Sequence, residues 1–472
     1  MPLLSKPGLT APAKPGQGEA RPTRRQASAA AAASFLIVPA HVLGGQAGAA
    51  PSDKLNIAGV GVGAMGAGYV RECESQNIVA LCDVDHAFAA PTFARYPNAK
   101  TYRDYREMLE KQKDIDAVII GTPDHTHAFI AMAAMDLGKH VYCAKPLTRT
   151  VYEARLLAET ARKKKLATQM SVQSSASEES RLTEEWIQAG AVGAVREVHV
   201  WTDRPIWPQG LARPREGMAV PNTLDWDLWL GPAAERPYHT AYHPFAWRGW
   251  VDFGTGALGD MACHAFHVVF RALNLEHPTR VSGSATRVVR HRLVNNEGKL
   301  SIRNSVIPLP ETFPHSSIVT WDFPSRGSQP AVRLHWYDGG VKPPIPADAP
   351  SGQVLPGSGA YYVGDKGVLL TGFTGGEHRL LPESRAKEFQ APAKSKPRSE
   401  GHYMEWINAC KGGPAGSCEF GFGGLVTEVA LLGTIAERTQ KSLDWDPKRL
   451  RFPNDAATSA LLNPPYRKGW KL

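Results

Sequence analysis

Six cysteines in 472 residues, none spaced in pairs as metal ligands are, argue against a thiolate metal framework or a disulfide-built scaffold. All six are expected to be free and mostly buried, and only Cys410 and Cys418 stand near enough to suspect a bridge. Lysine-rich blocks and nucleic-acid motifs are missing as well. Of the formal charge of +9, Lys6, Lys14, Arg21, Arg24 and Arg25 against Glu19 place +4 in the first 50 residues. The remaining +5 is too diffuse to argue for nucleic acid as a partner. Arg162 to Lys165 is a short basic run that reads as the solvated end of a helix. No internal repeat is present, which excludes a repeat architecture. Past the N-terminal region no segment is expected to be apolar for long enough to span a bilayer, so no stable membrane insertion is expected after signal removal.

The informative feature that is present begins at Leu55. An apolar strand, Leu55 to Val60, runs directly into Gly61-Val62-Gly63-Ala64-Met65-Gly66 and then into a helix-compatible stretch. In a dinucleotide site the first glycine permits a tight turn and the second lets the backbone approach a pyrophosphate. The third lets the helix pack closely on the strand while its N-terminus faces the phosphates. A second strand, Ile78 to Cys82, ends in Asp83, 22 residues past Gly61. A carboxylate there accepts ribose hydroxyls and repels a 2′-phosphate, so NAD is expected, with NADP possible.

The length exceeds what one core supports, and two domains are expected behind an N-terminal address. Residues 1–52 read as export signal and linker, 53–175 as a Rossmann domain, and 176–472 as a substrate-binding and oligomerisation domain. The address carries Thr23-Arg24-Arg25, an alanine-rich run to Val38 and small residues around Ala47-Gly48-Ala49 that suit a cleavage site. It resembles a twin-arginine export signal, although Gln26-Ala27-Ser28 lacks a bulky apolar residue and Pro39 interrupts the run. Export implies a periplasmic or otherwise exported product; a disordered tail on a cytoplasmic protein is the alternative.

From Leu55 to Met170, apolar strands alternate with helical periodicity, as a doubly wound parallel sheet requires. The expected strands are 55–60, 78–82, 117–121, 140–143 and 166–170, with helices at 105–111, 126–137 and 151–164. Tryptophan, proline and glycine then crowd residues 201–259, which predicts a loop-rich wall. Alternating runs at 196–202, 281–289, 317–321, 332–336, 361–363 and 368–370 predict a mostly antiparallel open sheet. The fold class is therefore α/β followed by α+β. Residues 339–359 and 387–396 read as loops, and 425–440 as a last helix against the core.

Two further constellations lie on the sheet edge where ligands bind in open α/β folds. Gly121-Thr122-Pro123-Asp124-His125-Thr126-His127 follows the third expected strand and offers Thr122, Pro123 and His127 toward a cofactor, while Asp124 or Thr126 caps the next helix. Cys143-Ala144-Lys145-Pro146 places Lys145 at the end of the following strand. It is either a surface lysine or, facing a nicotinamide, a donor that polarises a substrate hydroxyl.

In order along the chain, the glycine turn, Asp83-Val84-Asp85, Thr122-Pro123, Lys145-Pro146, the segment Gly254 to His264 and Gly364-Asp365-Lys366-Gly367 resemble the Gfo/Idh/MocA oxidoreductase family. The resemblance covers nearly all of the chain after Ser52 and implies that Lys145, Asp260 and His264 surround the reacting carbon of a sugar or polyol. Asp260, His264 and His267 fall on one helix face, so His264 can serve as general base while Asp260 orients it or grips another hydroxyl. A structural Asp-His pair is the plain alternative. Two positions depart from the family: Ala144 stands where an acidic residue is common, and His267 where an aspartate is. His267 raises a metal alternative with Asp260 and His264 as co-ligands, although no metal is expected. Trp247 and Arg248, just before the glycine-rich segment, either stack on and grip a sugar or fill a domain interface.

The sequence therefore points to an NAD(P)-dependent oxidoreductase acting on CH–OH groups of a small carbohydrate, with tightly bound cofactor and a homo-oligomeric assembly, dimer or tetramer. A redox-neutral glycoside-cleaving or eliminating enzyme that uses bound NAD is one alternative. A sugar-binding protein with a vestigial nucleotide fold is the other.

Overall fold

The computed structural model describes residues 53–296 and 298–472; the segment read as an export signal, Arg24 and Arg25 included, lies outside them. Six strands make the first sheet: β1 (Asn56–Val60), β2 (Asn77–Cys82), β3 (Lys100–Tyr102), β4 (Ala117–Ile120), β5 (His140–Cys143) and β6 (Thr168–Met170). All are parallel, in the order β3-β2-β1-β4-β5-β6. β4 is buried at all four residues because layers cover both faces of a parallel sheet. The chain order reverses between β1 and β4, which opens a crevice at their C-terminal ends.

Helices α1 (Ala64–Arg71), α2 (His86–Arg95), α3 (Tyr105–Lys111), α4 (Asp124–Asp136) and α5 (Val151–Lys164) connect these strands. α4 starts two residues before the expected Thr126, because Pro123 occupies its N-cap in an extended conformation. α5 opens with a capping box between Thr150 and Glu153. It ends in the exposed Arg162, Lys163 and Lys164, where positive charge meets the helix C-terminus.

After α6 (Glu178–Gln188) the chain enters the second sheet. Its elements are β7 (Val195–Trp201), α7 (Gly256–Leu273), β8 (Arg280–Ala285), β9 (Val288–Asn296), β10 (Lys299–Ile307), β11 (Ser317–Phe323), β12 (Val332–Tyr337), β13 (Gly359–Gly364), β14 (Gly367–Thr371), β15 (Arg379–Leu381), α8 (His402–Cys410), α9 (Phe420–Thr439) and β16 (Ser442–Asp444). Eight strands pair in the order β15-β14-β13-β7-β12-β11-β8-β16, antiparallel except where β7 meets β12. The run expected at 281–289 is two strands, broken at Thr286 and Arg287, and β9 leaves the sheet to pair with β10 alone. Residues 387–396, read as a loop, begin inside the short helix Glu383–Glu388.

One face of the second sheet lies under α7 and α9. Phe266 meets Trp321 and Trp336 edge-on at 5.3 and 5.9 Å, and Trp321 Nε1 donates to the Val429 carbonyl at 3.0 Å. By length and composition α9 is apolar enough to cross a membrane, contrary to the expectation from sequence, yet it is mostly buried here as a core helix. It packs on α5 as well as on β8, and Arg155 of α5 grips its buried Glu428 through two hydrogen bonds of 2.9 and 3.0 Å. All six cysteines are free, five of them buried, so the suspected Cys410–Cys418 bridge is absent.

Candidate active site

The glycine turn is built from close approaches. Gly61 sits at φ +73°, and a Cβ there would lie 2.6 Å from Thr122. A Cβ on Gly66 would fall 1.8 Å from the Gly61 carbonyl oxygen, so α1 lies on β1 at a distance only glycine permits. Gly66 therefore acts by packing and does not line the cavity. Above Gly63 lies the ring of Phe88, 2.3 Å from where a Cβ would stand. Asp83 closes the turn: its Oδ2 accepts from Val62 N and Gly63 N at 2.8 and 3.2 Å, and Oδ1 from Asp85 N at 2.9 Å. Burial pushes this carboxyl up to about 6 against the pull of those three N–H groups.

The next two turns are tied to each other by His127. Fully buried, it places Nε2 2.8 Å from the Thr122 carbonyl and Nδ1 3.0 Å from that of Pro146. It fixes the spacing of Thr122 and Lys145 and takes no part in lining the cavity.

Lys145 reaches across to α7. Its Nζ is 2.9 Å from Asp260 Oδ1 and donates to the Asp260 carbonyl at 2.9 Å. Arg248 Nε stands 3.7 Å from the same Oδ1, and the guanidinium lies over the rings of Trp247 and Phe245 at 4.3 and 4.6 Å. Burial acts to raise the Asp260 carboxyl, but Lys145 and Arg248 outweigh it and hold the group below its ordinary range. Asp260 thus serves Lys145 rather than orienting His264. Burial and then the Lys145 charge push His264 down to about 3, so its imidazole is neutral at pH 7.

Asp124, expected as a cap, is instead a buried acid on the same cavity. Thr255 Oγ1 donates to it at 2.8 Å, and burial followed by the Asp260 charge pushes it up to about 7. His267 faces away from the cavity. It is fully buried, with Nε2 3.0 Å from Ser174 Oγ and Nδ1 without a hydrogen bond. Asp260, His264 and His267 do not gather as a ligand cluster among the described residues.

A single cavity of about 670 Å³ joins these groups. Gly61, Gly63, Ala64, Met65 and Asp83 line one end, Thr122 and Pro123 the middle, and Lys145, Trp247, Arg248, Asp260 and His264 the other. Sequence reasoning missed Tyr69, Arg204, Trp229 and Trp470 on its wall. Trp470, two residues from the C-terminus, carries no local signal of its position.

The residues present fit a dinucleotide. The turn packs this closely because Gly61 and Gly66 lack side chains, Gly63, Ala64 and Met65 line the cavity beside it, and a carboxylate stands just past the end of β2. Residues 55–172 match the Gfo/Idh/MocA model described as an oxidoreductase family with an NAD-binding Rossmann fold, and residues 204–289 match that family's C-terminal alpha/beta domain. The inositol 2-dehydrogenase of Salmonella paratyphi B is 32% identical over 109 residues, 22% of this chain and 32% of its own. The levoglucosan dehydrogenase of Pseudarthrobacter phenanthrenivorans is 26% identical over 185 residues, 39% of each chain. This chain thus spans about a third of the length of these relatives. An NAD-binding protein from Listeria innocua shares the fold with a TM-score of 0.54 at 15% identity, over 83% of this chain and 97% of its own.

Proposed function

We propose that this chain, which carries both domains of the Gfo/Idh/MocA oxidoreductase family, is an NAD-dependent enzyme that moves a hydride to or from a secondary hydroxyl of a sugar, polyol or glycoside. The observation that carries the reading is the one cavity in which the glycine turn and Asp83 meet Lys145, Asp260 and His264. Gly61, Gly63, Ala64, Met65 and Thr122 would hold the dinucleotide, with Asp83 on the ribose. Bound NAD supplies the hydride acceptor or donor at its nicotinamide.

The chain's own residues handle the alcohol. Lys145, held by Asp260 at 2.9 Å, donates a hydrogen bond to the reacting oxygen. The neutral His264 accepts the hydroxyl proton at a ring nitrogen. Ala144 leaves Lys145 without an acidic neighbour in the chain, and its counter-charge is Asp260 from the other sheet's helix. Arg248, braced on Trp247, offers guanidinium donors to further hydroxyls.

Arg24 and Arg25 support export, and an exported enzyme retains its NAD and regenerates it by passing the hydride to a second substrate. Mass spectrometry of cofactor released from freshly purified protein, followed by a carbohydrate panel, tests the enzyme. Absence of both nicotinamide binding and turnover refutes it. Replacing Arg24 and Arg25 together by Lys is expected to trap the protein inside the cell; unchanged export refutes the address.

A further inference from the structure

Away from the cavity, the face of the second sheet that α7 and α9 leave uncovered carries a stack of rings. Register places His335 of β12 beside His199 of β7, and Tyr361 of β13 beside it on the other side. His199 is accordingly sandwiched, with the His335 ring 4.5 Å away at 15° and the Tyr361 ring 4.4 Å away at 27°. Glu197 precedes His199 by two residues and so shares its face. Its Oε2 is 3.5 Å from His199 Nε2.

Both imidazoles are held at their other nitrogen. His199 Nδ1 lies 3.0 Å from the Tyr337 hydroxyl, and His335 Nδ1 lies 3.0 Å from Thr320 Oγ1. With the proton on Nδ1, each ring presents an Nε2 lone pair, the arrangement by which outer hydroxyls orient ligating histidines. Nearby Arg333 is engaged by Asp322 at 2.8 Å, which leaves the carboxylate of Glu197 facing the two rings.

The geometry points to a divalent transition-metal site formed by Glu197, His199 and His335, of the two-imidazole, one-carboxylate kind that takes zinc. The three ligand atoms lie within 4.8 Å of one another. Zinc bonds of about 2.0–2.1 Å set tetrahedral ligands roughly 3.4 Å apart. Glu197 and His199 already stand at that spacing; the His335 ring, now nearly parallel to that of His199, turns out of the stack to bring its lone pair onto the same ion. A fourth position stays open to water. None of the three residues lines the catalytic cavity, so the site is independent of hydride transfer.

The test uses the full chain, stripped with a chelator and dialysed, then titrated with Zn²⁺ alone by calorimetry and with Co²⁺ alone by visible absorption. One ion per chain is expected, with intense Co²⁺ bands of a tetrahedral site. His335→Ala and the conservative, surface-tolerant Glu197→Gln weaken Zn²⁺ at least tenfold and abolish the bands. Thr320→Val, which removes only the hydroxyl on His335 Nδ1, weakens Zn²⁺ about tenfold. NAD binding measured in every variant reports that the fold is intact. Wild-type protein that takes up no Zn²⁺, or folded variants that bind it as wild type does, overturn the site.

Discussion

At the glycine-turn end of the cavity the main chain does the holding. Asp83 is fixed by three backbone N–H groups, and His127 spans two backbone carbonyls. At the other end side-chain charge does most of it: Lys145 comes from the end of β5, Asp260 from α7 and Arg248 from the loop wall, and they meet as an ion cluster with one added bond from Lys145 Nζ to the Asp260 carbonyl. Backbone-held geometry tolerates a change of one side chain, because the remaining amides keep the turn. A buried ion cluster does not, since removal of one member leaves its partner's charge unpaired. Substitutions at the first end are therefore expected to act on cofactor binding, and those at the second on turnover.

The largest expected effect tests the charge-held end. Lys145→Ala and His264→Ala should each lower kcat by about a hundred- to ten-thousandfold, as loss of positioned acid-base groups does. NAD affinity, measured by calorimetry, should change little. Near-normal turnover in both variants removes these residues from the chemistry. A large loss of NAD affinity in Lys145→Ala erases the contrast between the two ends.

Gly63→Val should abolish NAD binding, and the structure offers two physical reasons. A side chain there either blocks the pyrophosphate's approach or displaces the Phe88 ring, 2.3 Å from the added carbon. The double variant Gly63→Ala with Phe88→Ala relieves the second clash only. We expect it to fold, by thermal melting, and still to bind NAD poorly. Recovery of wild-type affinity would assign Gly63 to seating Phe88 alone.

The same contrast explains what could be read from sequence. The strands of the parallel sheet other than β3, its glycine turn and the basic end of α5 are local features, so hydrophobic runs and residue types found them to within two residues. β3, β15 and β16 are three residues long and have no period to detect. β10, a nine-residue strand, pairs only with β9 and keeps Leu300 and Ile302 exposed, so no buried alternation marks it. Spacing on α7 put Asp260, His264 and His267 on one face, but a helix face is wide: Asp260 turned to Lys145 and His267 to Ser174. The partner that decides a side chain's role came from a distant segment each time.

A smaller effect is expected at Asp83. Asp83→Ser removes a carboxylate that would accept ribose hydroxyls and keeps a short polar group for the amides of Val62 and Gly63. Hydrogen bonds to charged groups contribute about 1.5–3 kcal/mol, so NAD should weaken roughly ten- to a hundredfold while NADP improves relative to it. Competitive binding of the two nucleotides measures the ratio, and an unchanged ratio places the ribose elsewhere.

The smallest expected effect concerns Asp124, whose carboxyl burial and Asp260 push up to about 7. Between an unfolded value near 4 and that native value, the native state keeps a proton that the unfolded chain has released. The stabilisation is therefore fully present below about pH 4, shrinks as pH rises, and is gone above about pH 7, with a slope of at most about 1.4 kcal/mol per pH unit. Asp124→Asn keeps an acceptor for Thr255 and carries no proton to lose. The melting temperature of Asp124→Asn minus that of wild type should thus rise by a few degrees from pH 4 to 7 and level off above pH 8. Asp83, which is also raised, is present in both proteins and drops out of this difference. A difference that stays constant across the range would mean that Asp124 is ionised in the folded protein throughout. The buried acid would then belong with the charge-held cluster of Lys145 and Arg248, and the substrate end would carry two carboxylates against two cations.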